Sequence, residues 1–259
     1  MHKTTVKAWG WALASVALLG QPAALVAAET GWHVNLGAGV VAAPQYPGSD
    51  KITIFPFPDV EATYGDWFFA TPIDGIGAGF QPVKNLTLGM ALGVNLEERK
   101  AADDSRLTGL KDVRYTPDAR IDVRYEIRGC FIEGTLRSRL GSAAGRGTEL
   151  EVDAGHMFLV QGPHYVSTGL TVSFMDEAYA RTFFGISPAQ SAVTGLRPFP
   201  AQRGLKDVGG FVECSRMLGR HWECYARLQV SQLQSRAAES PIVLRALQPS
   251  LVLTTAYRF

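Results

Sequence analysis

Apolar and charged residues alternate with a period of two along three successive stretches near the middle of the chain. From Arg120 to Arg128, five charged residues alternate with four apolar ones. The alternation recurs in residues 132–140, after a turn at Gly129, and again in residues 149–154. Successive side chains of a β-strand point to opposite faces. These stretches therefore predict three consecutive strands, each with one apolar face and one charged face.

Two environments suit such strands. In a soluble sandwich the charged faces would lie in solvent. In a transmembrane barrel they would face the lumen, where opposite charges on neighbouring strands pair. The barrel interpretation predicts a lumen lining made of the charged positions of these strands and of residues 220–233: Arg120, Asp122, Arg124, Glu126, Arg128, Glu133, Arg137, Arg139, Glu149, Glu151, Asp153, Glu223 and Arg227. The mixture of both signs indicates a narrow interior filled by side chains rather than a wide pore.

The stretch 250–259 also alternates. One face is suited to lipid and ends in two aromatic residues: Leu251, Leu253, Thr255, Tyr257 and Phe259. The other face is small or polar, as a barrel lumen would be. This strand resembles the closing strand of bacterial outer-membrane barrels, which is also the signal read by the barrel-assembly machinery, and the resemblance assigns that signal to Tyr257 and Phe259. The alternative is an ordinary terminal strand of a soluble β-protein.

Further strands are predicted between turn-forming residues, at residues 31–43, 52–64, 67–82, 86–96, 164–174, 204–217 and 220–233. Asp74-Gly75 is a strong turn signal, so residues 67–82 form either two short strands or one long bent strand. The count is eleven or twelve. Because a single-chain bacterial barrel needs an even number, we predict twelve strands, with ten as the alternative. The fold class is therefore all-β, a single transmembrane antiparallel β-barrel.

Three longer segments between the strands lack clear alternation and predict irregular loops: residues 97–112, 175–202 and 234–247. The first is polar and charged, and the second is expected on the outer side of the membrane.

Composition agrees with a membrane barrel. Charged residues make up 19% of the 259 positions, and the mean hydropathy is only +0.03, because residues of a barrel lumen dilute the apolar ones at every second position. Beyond the N-terminal segment no run of about 20 apolar residues predicts a membrane-spanning helix. The balanced charge also argues against a nucleic-acid partner.

The N-terminus has the pattern of an export signal. Lys3 and Lys7 precede an apolar run over residues 8–26. Small residues at the positions that a signal peptidase reads place the cleavage after Ala28. We predict a cleaved signal peptide over residues 1–28, which leaves 29–259 as the barrel. The alternative is a retained membrane anchor. Export places the protein in the cell outer membrane, in contact with membrane lipid.

Cysteine and histidine positions predict little chemistry. Cys214 and Cys224 would lie opposite each other in a hairpin centred on Gly219, so they are either a cross-strand disulfide or two free thiols. Neither these residues nor Cys130 shows the spacing of a metal site.

Catalytic patterns are also missing from the sequence. No histidine beyond the signal peptide has an evident nucleophile or acid beside it. Asp103-Asp104 is a pair of carboxylates in a charged loop, where solvation explains it, and no glycine-rich phosphate loop precedes a helix. We therefore expect a protein that is not an enzyme and needs no cofactor.

Several motifs resemble the MipA/OmpV family of outer-membrane proteins, in the right order along the chain. Residues 44–50, followed by Pro56 and Pro58, are similar to the family's opening. Residues 183–187 resemble its aromatic-Gly-Val-Ser motif. Residues 239–243 resemble its Ser-Pro-Ile-Val motif, and the last three residues resemble its ending.

The resemblance implies an outer-membrane barrel. The family's named member is a scaffold that binds a membrane-bound lytic transglycosylase and a bifunctional penicillin-binding protein during cell-wall growth, and other members are antigens, adhesins or porin-like proteins. No partner-binding residue can be carried over, because proline and glycine in such motifs usually shape turns. Two hypotheses therefore remain: a scaffold for murein enzymes, or a channel for small solutes, with a surface adhesin as a further alternative.

Overall fold

The protein is a closed barrel of twelve antiparallel strands. The computed structural model describes residues 31–141, 145–159 and 164–259, so the predicted signal peptide lies outside the described residues. The strands are β1 Trp32–Pro44, β2 Ile52–Tyr64, β3 Phe68–Thr71, β4 Gly75–Val83, β5 Leu86–Asn95, β6 Thr116–Ile127, β7 Cys130–Arg139, β8 Gly147–Leu159, β9 Tyr165–Met175, β10 Gly204–Leu218, β11 Trp222–Leu233 and β12 Leu247–Arg258. The predicted count of twelve is confirmed.

Every strand pairs with its neighbour in the sequence, and β1 pairs with β12 to close the barrel. In that closing pair Val40 lies opposite Leu253 and Gly37 lies opposite Ala256. The turn at Asp74 divides residues 67–82 into two strands, β3 and β4, so the two-strand alternative is the correct one. Of these, β3 is only four residues long.

The two faces of the barrel wall differ as the alternation predicts. On β6, Ile121 is 52% exposed, whereas the neighbouring Arg120 and Asp122 are 4% and 7% exposed. Large apolar side chains are exposed on the outer face of nearly every strand, and charged ones are buried inside. A soluble protein would reverse this arrangement, so the outer surface is a lipid-contacting one.

Aromatic rings gather at the end of the barrel where β1 begins and β12 ends. Trp32 contacts Tyr64 and Phe68, with ring centroids 5.2 and 5.8 Å apart. Tyr257 contacts Trp222 and Phe259 in the same way, at 5.4 and 5.0 Å. This is the position of an interfacial aromatic girdle. Because bacterial barrels have short periplasmic turns, this end with its short turns is the periplasmic one.

The opposite, extracellular end is covered by structured loops, which corrects the prediction of irregular ones. Residues 175–202 contain two helices, α1 Glu177–Phe184 and α2 Pro188–Thr194, and residues 234–247 contain α3 Ser235–Ala238. The Ser187 side chain accepts from Gln190, whose side chain accepts in return from the Ser187 N–H. This capping box is visible in the sequence as Ser-x-x-Gln. None of the helices in the described part of the chain combines the length and apolarity needed to cross a membrane.

These loops share a hydrophobic core, which we call the cap. Its buried members come from four loops and two strand ends: Tyr46, Leu107, Leu110, Val113, Met175, Tyr179, Ala180, Phe183, Phe184, Ile186, Phe199, Ala201, Leu233, Ala237 and Ile242. Arg99 donates from Nη1 to the carbonyl of Phe183 at 2.8 Å, and Ser240 donates to the carbonyl of Phe184 at 2.6 Å. Burial lowers the pKa of Arg99 to about 10, so it remains charged at neutral pH. The cap therefore closes the extracellular mouth with a packed layer.

The three cysteines are free thiols. The β10–β11 hairpin pairs Leu218 with Trp222, so its turn is centred one residue later than predicted. Cys214 therefore lies opposite Ala226, and Cys224 lies opposite Arg216. This offset rules out the direct cross-strand pair that the sequence left open.

Candidate functional site

The lumen brings together nearly all the charged residues that the sequence assigned to it. Nine are buried inside the barrel: Arg120, Asp122, Arg124, Glu133, Arg139, Glu149, Glu151, Asp153 and Arg227. Glu126, Arg137 and Glu223 are partly buried there. Arg128 is the exception, because it adopts a positive φ of 52° in the β6–β7 turn and is exposed at the periplasmic end. β6 ends at Ile127, so the turn interrupts the alternation at Arg128, which the pattern alone did not reveal.

One ion-pair network is centred on Arg120, on β6. Its guanidinium pairs with Asp74 in the β3–β4 turn and, from Nε, with Asp122 Oδ1 at 2.8 Å. The Thr135 hydroxyl donates to the same Asp122 oxygen at 2.8 Å. The network therefore joins β6 and β7 to the β3–β4 turn on the inside of the wall.

Two further arginines lie on opposite walls of the lumen. Arg124 pairs with Glu133 at 2.9 Å and with Glu126 at 3.1 Å. Arg227 pairs with Asp153 at 2.8 Å and with Glu213 at 3.1 Å. Each cation therefore has two carboxylates, which is the arrangement that offsets the cost of burying charge.

Two phenylalanines bridge the space between these arginines. The Arg124 guanidinium carbon lies 4.2 Å from the centre of the Phe131 ring, and that of Arg227 lies 4.1 Å from Phe211. The two rings lie 6.3 Å apart. Stacking of a cation on each ring adds to the ion pairs, so the column Arg124–Phe131–Phe211–Arg227 crosses and fills the middle of the lumen.

Glycine makes room for this column. At Gly155 a Cβ would lie 2.8 Å from the Phe131 ring and 2.6 Å from the carbonyl of Thr168. We predict that Gly155→Val displaces Phe131 and lowers the free energy of unfolding by about 1–3 kcal/mol, the usual cost of overpacking. Urea titration of the folded barrel in detergent, read by heat-modifiable gel mobility, measures the change. Gly134, whose Cβ would meet nothing within 4 Å, provides the control: a Gly134→Val loss as large as that of Gly155→Val would contradict the packing explanation.

A second polar cluster lies higher in the lumen, under the cap. Lys206 on β10 pairs with Glu149, and the Tyr179 hydroxyl of α1 donates to Glu97 at 3.0 Å. Burial, with the negative charge of Glu97 nearby, raises the pKa of Tyr179 well above its usual value, so it stays a donor. Arg139 donates to the carbonyls of residues 145 and 114, both at 2.9 Å. These contacts fasten the loops to the upper wall.

Several lumen residues were missing from the sequence prediction. Glu213 and Phe211 lie at alternate positions of β10, so the period-two pattern of residues 204–217 could have identified them. Lys206 could not be found this way, because a register shift between Leu205 and Asp207 interrupts the alternation there. Asp74 lies in a turn, where no periodic pattern exists.

The middle of this lumen is packed with ion pairs and aromatic rings, and its buried carboxylates outnumber its buried cations. No group of three or more potential ligands that could hold a metal ion occurs among residues 31–141, 145–159 and 164–259. The ion pairs, the aromatic column and the cap succeed one another along the barrel axis, and each occupies space that a diffusing solute would need.

Comparison with known proteins gives one family. The sequence matches the family described as MltA-interacting protein MipA over residues 36–259. No curated protein matches the sequence significantly.

Solved barrels of low sequence identity are also similar in structure. A bacterial polysaccharide outer membrane secretin has a TM-score of 0.44 at 10% identity, covering 87% of this chain and 98% of its own. CymD, a monoaromatic hydrocarbon channel, has a TM-score of 0.39 at 12% identity, covering 88% of each chain. OmpT of Vibrio cholerae has a TM-score of 0.37 at 6% identity, covering 92% of this chain and 99% of its own.

Proposed function

Since this chain belongs to the MltA-interacting protein MipA family, we propose that it is a non-enzymatic outer-membrane scaffold. On this proposal it holds a lytic transglycosylase, together with a bifunctional penicillin-binding protein, at the periplasmic surface of the outer membrane. The observation that carries the proposal is the filled interior. Ion pairs cross the lumen and the cap covers its mouth, so a solute has little room to pass. The ends of the barrel are therefore the surfaces at which we expect a partner to bind.

The periplasmic end has a distinct charge. Its described turns expose three basic residues, Lys84, Arg128 and Arg220, against one acidic residue, Asp66. Such a rim favours a partner with an acidic face, and the attraction weakens as salt rises. The turns are short, so the partner would contact several of them at once.

A binding measurement with charge-reversed variants tests the scaffold. The full-length barrel in detergent is immobilised, and the lytic transglycosylase of the same bacterium is passed over it at low and physiological salt. We expect saturable binding that the triple variant K84E/R128E/R220E weakens severalfold. The matched control reverses three exposed charges in the described extracellular loops, K111E/R146E/R203E. Equal loss in both variants, or no binding by the unchanged protein, would refute this interface.

Conductance distinguishes the scaffold from the channel hypothesis. In a planar bilayer the scaffold proposal expects no ohmic steps, because the column of Arg124, Phe131, Phe211 and Arg227 blocks the axis. Regular conductance steps whose size changes in Arg137→Ala would instead support a porin-like channel.

The proposal also includes the assembly signal at the C-terminus. Phe259 is 75% exposed, and its ring packs edge-on against Tyr257. We predict that deleting Phe259 reduces the folded barrel in the outer-membrane fraction severalfold, because the assembly machinery reads the terminal aromatic. The amount of the heat-modifiable form in that fraction measures this. Thr255→Ala, on the same face, should have little effect; an equal loss there would argue against a specific signal.

A further inference from the structure

The barrel wall has a window in its extracellular half. The short β3 pairs with β2 only through Ala62, Thr63 and Tyr64, so β2 has no strand partner on that side over residues 52–61, among the described residues. Beyond the β3–β4 turn the next full strand is β5. Three strand spacings of about 4.8 Å separate β2 from β5, so their backbones lie about 14 Å apart there.

The exposure of side chains beside the window is that expected for an opening in the wall. Phe55 lies on the inward face of β2, two residues from the buried Phe57, yet it is 43% exposed. Its cross-strand partner on β1 is the inward-facing Val41. Below the opening, Ile73 of the β3–β4 turn packs against the inner cluster that contains Val41 and Phe57. The turn thus forms the apolar lower edge of the opening and does not close the wall.

A cavity of about 280 Å³ lies directly behind the window. At the wall it is lined by apolar groups, including Val41, Ala43, Phe55, Ile73 and Val94. Its volume is slightly below the roughly 300–1,000 Å³ of common small-molecule sites. The cavity therefore suits the head and first carbons of a longer molecule whose remainder stays outside the wall.

The polar part of the cavity lining has an excess of negative charge. Five acidic residues line the cavity, against two basic ones, Arg137 and Lys206: the acids are Glu97, Glu98, Glu149, Glu151 and Asp207. Lys206 already pairs with Glu149 and lies 3.7 Å from Asp207. Glu151 is 4% exposed and accepts a long hydrogen bond of 3.4 Å from Ser173, with no ion pair among the described residues. Burying this carboxylate without a cation is costly, and a positively charged ligand group beside it would offset that cost.

We propose that this cavity binds a single-chain amphiphile with an ammonium headgroup. The head enters the lumen and pairs with Glu151, and the alkyl tail passes through the window between β2 and β5 into the outer leaflet. Apolar lining at the wall and acidic lining inside match the two ends of such a molecule. The site lies at the opposite end of the barrel from the proposed scaffold surface, so the two proposals stand independently.

Three probes with the same ten-carbon chain test the head and the tail. Decyltrimethylammonium, decanol and decanoate are titrated against the full-length protein in non-ionic micelles. The amount of each probe that partitions into protein-free micelles is subtracted from the amount bound. We expect one saturable site per barrel for the cation, with at least roughly tenfold weaker binding of the other two, as for an ion pair in a partly buried site. Saturable binding of decanoate as tight as that of the cation would overturn the head assignment, and the absence of any saturable site would overturn the proposal.

Adjacent residues on β1 and β2 provide matched variants. Ala43 and Thr53 line the cavity, whereas Ala42 and Ile54 are the next positions and face lipid. Ala43→Trp should abolish saturable binding and Ala42→Trp should not. If Ala43→Trp fails to give the heat-modifiable folded form, the pair Thr53→Trp and Ile54→Trp, at the edge of the window, makes the same comparison. Equal binding by the two members of a folded pair would exclude this cavity.

The headgroup contact has its own pair of variants. Glu151→Gln keeps the shape of the side chain and removes its charge, and should weaken decyltrimethylammonium binding roughly tenfold through loss of the ion pair. Glu213→Gln removes an inward carboxylate that does not line the cavity, and should leave binding unchanged. Unchanged binding in Glu151→Gln would show that this carboxylate does not hold the head.

Discussion

Replacing Arg227 by leucine is expected to lower the free energy of unfolding by about 3–5 kcal/mol, the cost of removing one partner from a buried ion pair. The guanidinium pairs with Asp153 at 2.8 Å and with Glu213 at 3.1 Å, and it also stacks on Phe211. Without it, two carboxylates remain buried in the lumen with no cation. The measurement is reversible urea unfolding in detergent or lipid vesicles, followed by loss of the fast-migrating unheated band.

Two further variants separate the charge effect from loss of side-chain volume. Arg216→Leu changes an exposed arginine on the outer face of β10 and should alter stability by less than about 0.5 kcal/mol. The triple variant R227L/D153N/E213Q removes the stranded charges and should recover part of the loss. If the triple variant is no more stable than Arg227→Leu, the ion pairs are not the main contribution of this residue.

Replacing Phe183 by alanine is expected to open the cap while leaving the barrel folded. Phe183 is fully buried in the cap, and its truncation costs about 3–5 kcal/mol of local packing. Local unfolding of the loops then becomes frequent enough for a protease to reach Arg181 or Arg197. The readout is trypsin treatment of intact cells: the wild-type chain should stay whole, and the variant should be cut in the α1–α2 region at a much lower protease concentration.

The exposed face of the same loop provides the control. Val193 on α2 is 72% exposed, so Val193→Ala should leave protease resistance unchanged. Both variants should keep the mobility shift of the intact barrel on unheated gels. Wild-type resistance of Phe183→Ala would mean that the loops are held by their polar anchors, such as the Arg99 contact, rather than by the apolar core.

The periodic part of this protein was predictable from the sequence. Alternation in β6, β7 and β8 follows from the opposite directions of successive side chains, and a closed barrel converts that alternation into a lipid face and a lumen face. The inward positions of Arg124, Glu133 and Arg227 follow directly. The strand count and the closing strand depend on the same local property.

The remaining features depend on contacts between distant parts of the chain. Residues 175–202 hold short helices whose apolar residues pack on loops from elsewhere. The apolar positions of α1 lie on one helical face, but an eight-residue helix is too short to be stable without those distant contacts. The pairing of Arg227 with Asp153 joins strands that are not neighbours. The turn at Asp74-Gly75 is visible in the sequence, but the window above it depends on how far β2 and β5 extend on either side.

The pairing of β1 with β12 joins the first strand of the barrel to the last, so neither is fully paired until both are present. Their partners, such as Ala42 and Leu251, are separated by about two hundred positions. Contacts of such high sequence separation form late, because the loop entropy is lost before the contact is gained. Until the last strand arrives, the nascent sheet keeps two bare edges that invite pairing with other chains. A chain that lacks β12 is therefore expected to remain an open sheet with unpaired, aggregation-prone edges.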